Sequence, residues 1–401
     1  MIKLDFYATL VAMVAVLLIG RFIIARLKVL NDYNIPESVV GGLFVAILIA
    51  IAYKFFNLGI DFDKSLQGPL MLAFFASIGL NADFASLKKG GRTLIKFLVI
   101  VAIFLVIQNL VGISLTSLMG ENPLIGLLGG SITMSGGHGT GAAWAATFKE
   151  APFNFPHGLE IAVACATFGL VMGGLIGGPV ARFLIKTYHL KTPERNESEE
   201  DGAFESPRKQ RLITASSFIE SLALIAFALF AGIQIEEALK GTALALPTFV
   251  WCLFVGVILR NLLSLFKVHQ VFEREVSVIG NVSLSLFLAS ALMTLKLWEL
   301  ANLALPLFVL LVAQAIVMIL YAVFVTFRMM GKDYDAAVLA AGHCGFGLGA
   351  TPTAIVNMQA ITQRYGPSHV AFLVVPMVGA FFIDIFNAFV IKFFLSLSFF
   401  G

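Results

Sequence analysis

The chain has 401 residues, of which 59% are hydrophobic and only 13% charged, with a net charge of +3 at pH 7 and a mean hydropathy of +0.93. A soluble domain has about a quarter of its residues charged and cannot bury this much apolar surface, so the surrounding medium is a bilayer and a soluble globular class is excluded. No nucleic-acid partner is expected, and the three cysteines, Cys165, Cys252 and Cys344, all lie in apolar or glycine-rich segments, which argues against a disulfide framework.

A membrane helix needs about 17 to 25 predominantly apolar residues. In chain order such runs occur near 4–20, 39–56, 66–82, 97–119, 158–185, 212–235, 243–259, 276–295, 300–327 and 367–400, ten in all. The first run ends in Arg21 and Arg26 without a small-residue cleavage site, so it reads as a retained span rather than a signal peptide. Between the fifth and sixth runs lies the one long polar segment, 186–211, whose Pro, Ser and mixed charges mark a solvated linker. The expected organisation is a first repeat, 1–187, a linker, 188–211, and a second repeat, 212–401.

The halves match in the same order at several places. IPESVVGGLFVAIL (35–48) is answered by LPTFVWCLFVGVIL (246–259), LMLAFFASIGL from Leu70 by LSLFLASAL from Leu284, and FLIK (183–186) by FVIK (389–392). Five crossings per half is odd, so the second half enters the membrane upside down relative to the first, the inverted-repeat signature of secondary transporters. Orientation follows from the positive residues. With the N-terminus outside, only Lys3, Lys54, Lys64, Lys149, Lys240, Lys296 and Lys392 face out, and the other twenty of the 27 Lys and Arg face the cytoplasm. Both termini are therefore expected outside and the linker inside.

Two glycine-rich stretches remain between spans, SITMSGGHGTGAAW (131–144) and AAGHCGFGLGATPTA (340–354). Their apolar arms are too short to cross, and irregular main chain at membrane depth is tolerated only where protein or a wet cavity covers it. Each reads as a re-entrant hairpin, about 123–148 and 336–361, entering from opposite sides so that the tips meet near the midplane. Such tips offer helix N-termini for anions and free carbonyls for Na⁺. Gly136, Gly137, Gly139 and Gly141 in one, and Gly342, Gly345, Gly347 and Gly349 in the other, allow a ligand close to the backbone, and Ser135, Thr140, Thr351 and Thr353 add hydroxyls. His138 and His343 hold similar places and suit substrate hydrogen bonding or pH tuning, with a satisfied core histidine the open alternative. No transition-metal site is expected, because ligand spacing is lacking. Asp384, in FFIDIFNAF of the last span, is the outlying intramembrane charge and a functional candidate by default. The polar residues Gln108, Asn109, Glu220, Asn281 and Gln314 read as interhelical glue.

The strings MLAFFASIGLNADFASLKKGGR, SITMSGGHGTGAAW, ACATFGLVMGGLIGGPVAR, VFEREVSVIGNVSLSLFLA, MMGKDYDAAVLAAGHCGFGLGATPTAIVNMQAIT and FLVVPMVGAFFIDIFNA resemble the bacterial sodium:glutamate symporter family. The resemblance covers essentially the whole chain and is weakest in the linker. It implies an all-α polytopic fold of two inverted five-helix repeats, each with a re-entrant hairpin, in the bacterial inner membrane among its lipids. It also implies Na⁺-coupled uptake of L-glutamate, a homodimer, alternating access by movement of a transport part against a scaffold, Na⁺ as coupling ion, no cofactor and no enzymatic activity. On that footing Ser135, Gly136, Gly137, His138, Gly139, Thr140, His343, Gly345, Gly347, Gly349, Thr351, Thr353 and Asp384 are the expected substrate contacts. Gly141, Gly342, Cys344, Asn357, Asp384 and Asn387 are the expected sodium ligands. A Na⁺ symporter for citrate or another small carboxylate is the alternative.

Overall fold

The computed structural model describes residues 2–27, 30, 35–56, 59–192, 212–240, 242, 246–294 and 303–397. Most of the expected linker and Lys296 lie outside them. The first half runs β1 (Ile2–Leu4), α1 (Phe6–Arg26), α2 (Glu37–Phe56), β2 (Ile60–Phe62), α3 (Gln67–Asn81), α4 (Ala85–Leu118), α5 (Pro123–Leu127), a π-helical turn (Leu128–Ile132), α6 (Gly137–Lys149) and α7 (Gly158–Thr187). The second runs α8 (Ala215–Leu239), α9 (Thr248–Phe266), α10 (Glu273–Leu292), α11 (Ala304–Tyr321), a π turn (Ala322–Thr326) into α12 (Phe327–Met330), α13 (Tyr334–Leu348), α14 (Thr351–Tyr365), α15 (His369–Met377), a π turn (Val378–Phe382) and α16 (Ile383–Leu395). The only strands among the described residues, β1 and β2, pair in parallel and tie the start of the chain to the segment after α2.

Among the described residues, eight helices are long and apolar enough to cross a bilayer, two fewer than the ten runs counted in the sequence. The run at 66–82 yields α3, whose 15 residues reach only about 22 Å at 1.5 Å each, short of a 30 Å slab. The run at 367–400 is divided, because Pro376 lies within α15 and the ladder loosens into a π turn directly after it.

Two packing groups emerge, each drawing on both halves. In one, α1 packs on α2, α8 on α9, and α3 lies against both α9 and α10. Small residues set these crossings: a methyl on Gly20 would collide with the Glu37 carbonyl, one on Gly41 with that of Val16, one on Gly232 with Cys252, and one on Gly79 with the Leu253 carbonyl. Without a hydrophobic force between helices in lipid, such close approach supplies the packing energy. In the other group α4, α7, α11, α15 and α16 surround α5, α6, α13 and α14. Its core includes Phe97, Phe104, Leu128, Trp144, Cys165 and Phe346, all 1% exposed or less.

A clamp joins the groups where α3 turns into α4. Asn261 on α9 accepts from the Phe84 N–H at 2.9 Å and donates to the Ala82 carbonyl at 2.9 Å, while Arg260 lies 3.6 Å from Asp83 and 2.6 Å from Glu273. Beyond it α4 breaks at Gly91 (φ 57°, ψ −149°) before running straight through the core.

Candidate functional site

Short helices meeting at broken ends form the centre of the second group. Asn122 starts α5 by accepting the Leu124 N–H at 2.9 Å, with Pro123 at the first turn where its missing N–H costs nothing. Asp333 starts α13 the same way, accepting from Ala336 N–H at 2.8 Å. The α13–α14 pair is antiparallel about a two-residue break at Gly349–Ala350. Asn357 Nδ2 lies 3.4 Å from the Ala341 carbonyl, and a methyl on Gly345 would strike Ala354.

The glycine clusters depart from the expectation of irregular main chain. GHGTG falls inside α6 and GHCGFG inside α13, and the breaks lie at 135–136 and 349–350. Glycine weakens an isolated helix by about 1 kcal/mol per residue, but here neighbours press on the backbone from all sides. The ridge Gly169, Gly173 and Gly177 of α7 makes room for the Leu348 carbonyl, the Gly345 carbonyl and the Asn357 amide. Close packing outweighs local propensity.

The two breaks come together. Gly137 has φ +68°, a left-handed conformation that L side chains rarely adopt, and a Cβ there would sit 3.7 Å from the Gly349 carbonyl. Helix starts (α6, α14) and helix ends (the first π turn, α13) therefore share one place, the former presenting N–H groups and the latter carbonyls. Gln108 of α4 bridges them: its Nε2 donates to Gly347 O at 2.8 Å and its Oε1 accepts from Ser135 Oγ at 2.6 Å, with Ser135 Oγ also 3.2 Å from Gly347 O. Gln314 of α11 donates to the Gln108 carbonyl at 2.8 Å. Both glutamines are fully buried.

Asp384 opens α16 and approaches Thr140 of α6, Oγ1 to Oδ1 3.4 Å. Together they line a recess of about 10 Å³ closed by Phe75 of α3 and by Phe249, Val250 and Leu253 of α9. The recess thus lies on the boundary between the packing groups. Asn387, one turn on, is already engaged: Oδ1 accepts from Ser131 Oγ at 2.6 Å and Nδ2 donates to Ser131 O at 2.9 Å, while Asn109 accepts the Ser131 N–H at 2.9 Å. Asn357 donates to the Gly173 carbonyl at 2.8 Å. Thr353 is buried, its hydroxyl without a hydrogen-bond partner among the described residues, and Thr351 faces the last π turn, where a Cβ on Gly379 would sit 3.0 Å from its Oγ1.

The remaining expected residues divide. Gly136 lies beside Thr140 at the first break, and Gly139 faces Phe74 and Leu284 of the other packing group. Gly141 packs on Thr133, just before the first break, and on Ala162, whereas Gly342 packs on Val375 and Met358. His138 pairs with Thr167 at 3.1 Å. His343 does not reach the junction: its Nδ1 is 2.9 Å from Thr326 Oγ1 and its ring sits among Phe97, Phe104, Tyr321 and Phe346. The Cys344 side chain is fully buried, and its carbonyl faces Gly173. The central residue is Gln108, expected only as interhelical glue and here the bridge between the two breaks. Its signal is the match of LVIQNLVGI (105–113) to LVAQAIVMI (311–319), which places Gln108 opposite Gln314.

Eight long apolar helices among the described residues define an integral membrane protein, and within one of its two packing groups broken helix ends meet in a buried junction. The sodium/glutamate symporter profile matches residues 2–367, and the chain belongs to that family. It is 61% identical over its full length to the sodium/glutamate symporter of Escherichia coli K12, all of which is covered, and 55% identical over 388 residues, 96% of each chain, to that of Haemophilus influenzae. A solved sodium proton antiporter from Methanocaldococcus jannaschii aligns with 98% of the chain and 97% of its own at 14% identity and a TM-score of 0.38, too loose a superposition to define a shared fold.

Proposed function

We propose that the chain is a secondary transporter of the bacterial inner membrane that couples Na⁺ entry to uptake of L-glutamate. Family membership supplies the class, and the observation that carries the mechanism is the meeting of Gly137 with Gly349. Helix N-termini there suit the glutamate carboxylates, helped by the hydroxyls of Ser135, Thr140, Thr351 and Thr353 and by the main chain at Gly136, Gly139, Gly345 and Gly347. Carbonyls at the ends of the π turn and α13, with the hydroxyl of Thr353, suit Na⁺. Asp384 takes the α-ammonium or a Na⁺. Asn357 and Asn387 act as positioning residues in this conformation, since their amides already bind Gly173 and Ser131.

The two halves are read as inverted repeats, 1–187 and 212–401, with α5–α6 and α13–α14 as re-entrant hairpins and both termini periplasmic. Supporting this, the α1–α2 crossing at Gly20 and Gly41 has its counterpart in the α8–α9 crossing at Gly232 and Cys252. The contact of α2 with α10 likewise has its counterpart in that of α9 with α3. Alternating access by movement of one packing group against the other follows from that division. The apolar outer faces of α1 (Tyr7, Val11, Phe22) and α8 (Ile219, Phe227, Phe230) are exposed and are available to lipid or to a second copy in a homodimer.

The test is radiolabelled glutamate uptake into proteoliposomes under an imposed Na⁺ gradient. Asp384→Asn is expected to abolish Na⁺-driven uptake at an unchanged level of folded protein. Wild-type uptake by that variant removes Asp384 from the site.

A further inference from the structure

A cavity of about 660 Å³ opens where the C-terminal end of α7 meets that of α14. Three cations line it: Arg182 and Lys186, one turn apart on the same face of α7, and Arg364 in the last turn of α14. No Asp or Glu is among its lining residues. The two helix C-termini contribute about −0.5 charge each, so the three side chains leave the cavity strongly positive. Among the described residues these three cations form no ion pair. All three side chains are exposed and able to reach a ligand.

Directly beside it, and sharing Pro179 and Phe183 as a common wall, runs a second cavity of about 460 Å³ between α7 and α11. Its other walls are apolar, among them Leu175, Ile319, Leu320, Val323 and Phe324. A positive head and an apolar tail joined at one wall complement an anionic phospholipid: phosphate against the arginines and lysine, acyl chain along Leu320 and Phe324. Basic pockets between membrane helices recognise anionic head groups by this chemistry, while a free dicarboxylic acid has no use for the apolar half.

We propose that this pair of cavities is a binding site for one anionic phospholipid. The lipid bridges α7, whose glycine ridge supports α13 and α14, to α11, whose Gln314 holds Gln108. It therefore stiffens the junction and raises transport without touching the solute. The inference rests on the chain being membrane-embedded, not on which acid it carries.

The experiment titrates the purified protein in detergent with dioleoyl phosphatidylglycerol or dioleoyl phosphatidylcholine and counts retained lipid by native mass spectrometry. Uptake is measured in parallel in vesicles of phosphatidylcholine with and without phosphatidylglycerol. Retention of phosphatidylglycerol over phosphatidylcholine is expected. It should weaken roughly fivefold for each cation removed and on the order of 100-fold in Arg182→Gln/Lys186→Gln/Arg364→Gln. That variant should match wild type in pure phosphatidylcholine and lose the stimulation by phosphatidylglycerol. Arg182→Lys/Arg364→Lys, which keeps the charge, should retain most binding, and Leu320→Trp, which fills the groove and leaves the cations, should lose it. Unchanged phosphatidylglycerol retention by the triple glutamine variant overturns the proposal. So does displacement of the lipid by glutamate, which would assign the cations to the transported acid.

Discussion

Replacing Gln108 by Leu tests whether the two broken helix pairs act as one unit. Gln108 is fully buried and makes two side-chain hydrogen bonds, to Gly347 O at 2.8 Å and from Ser135 Oγ at 2.6 Å. A buried hydrogen bond contributes about 1 kcal/mol net, and an orphaned buried acceptor costs about 1–3 kcal/mol. The single substitution does not orphan Gly347, because Ser135 Oγ already lies 3.2 Å from that carbonyl and can turn its proton to it. The loss is thus held to about 1 kcal/mol, roughly fivefold. Ser135→Ala alone leaves Gln108 on Gly347 but takes the donor from the buried Gln108 Oε1, and so costs about 1–3 kcal/mol. In the double variant no donor from either side chain remains, and the cost rises to about 2–3 kcal/mol, roughly 30- to 150-fold in apparent affinity. Half-saturation of uptake by glutamate and by Na⁺, measured in proteoliposomes at matched protein levels, reads all three. Wild-type half-saturation for both solutes in the double variant would refute the reasoning.

On α7, Gly173→Ala and Gly178→Ala lie five residues apart and should part sharply. A methyl on Gly173 falls 2.9 Å from the Gly345 carbonyl, whereas one on Gly178 meets nothing within 4 Å. The first is expected to lower the melting temperature in detergent by several degrees, at about 1–3 kcal/mol of overpacking, and the second to leave it unchanged or raise it slightly, since alanine is the better helix former; equal lowering by both would show that α7 is not packed as described. Net uptake of an anion is opposed by an inside-negative potential at about 2.3 kcal/mol per charge per 100 mV, and one Na⁺ merely cancels the charge. At least two Na⁺ per glutamate, and inward positive current on adding both solutes to a solid-supported membrane, are therefore expected, and absence of charge movement at saturation rules this out.

The outer helices were legible from hydropathy alone, because a span such as Phe6–Arg26 is apolar all round and needs no tertiary information. The inner ones were less so, and for a physical reason. Gly139, Gly141, Gly345 and Gly347 carry poor helix propensity, and nothing in their own windows reveals that Leu284, Ala162, Ala354 and Met318 lie against them and keep them helical. The approach of Gly137 to Gly349 agrees with the expectation that the two glycine-rich stretches meet, while the five crossings per half behind that expectation stand against eight long apolar helices among the described residues. The partners that fasten the junction, Ser131 to Asn387 across 256 residues and Gln108 to Gly347 across 239, lie beyond any local pattern. Of the two readings open for His343, the side chain takes the core one: its place in the sequence resembles that of His138, yet helical phase turns its ring into the aromatic cluster around Phe104.

Asp384 and Thr140 belong to one packing group and face a recess whose far wall, Phe75, Phe249, Val250 and Leu253, belongs to the other. Aromatic contacts close that wall: Phe75 lies 4.6 Å from Phe249 between ring centroids, and Phe249 lies 5.6 Å from Trp144. A space of about 10 Å³ admits no more than a water-sized group, so an amino acid reaches the carboxylate only when α3 and α9 part from α6 and α16. If transport proceeds by such parting, a cysteine at Val250, which is 1% exposed here, should change its reactivity with the transport cycle. In a background whose three native cysteines, all buried, are replaced by Ala or Ser, Val250→Cys should react slowly with a small permeant thiol reagent under conditions that hold the recess closed. Adding Na⁺ or glutamate should shift the rate by several-fold. A rate indifferent to both solutes, in a variant that still transports, would mean that the wall stays shut and that the acid reaches the junction without passing Asp384.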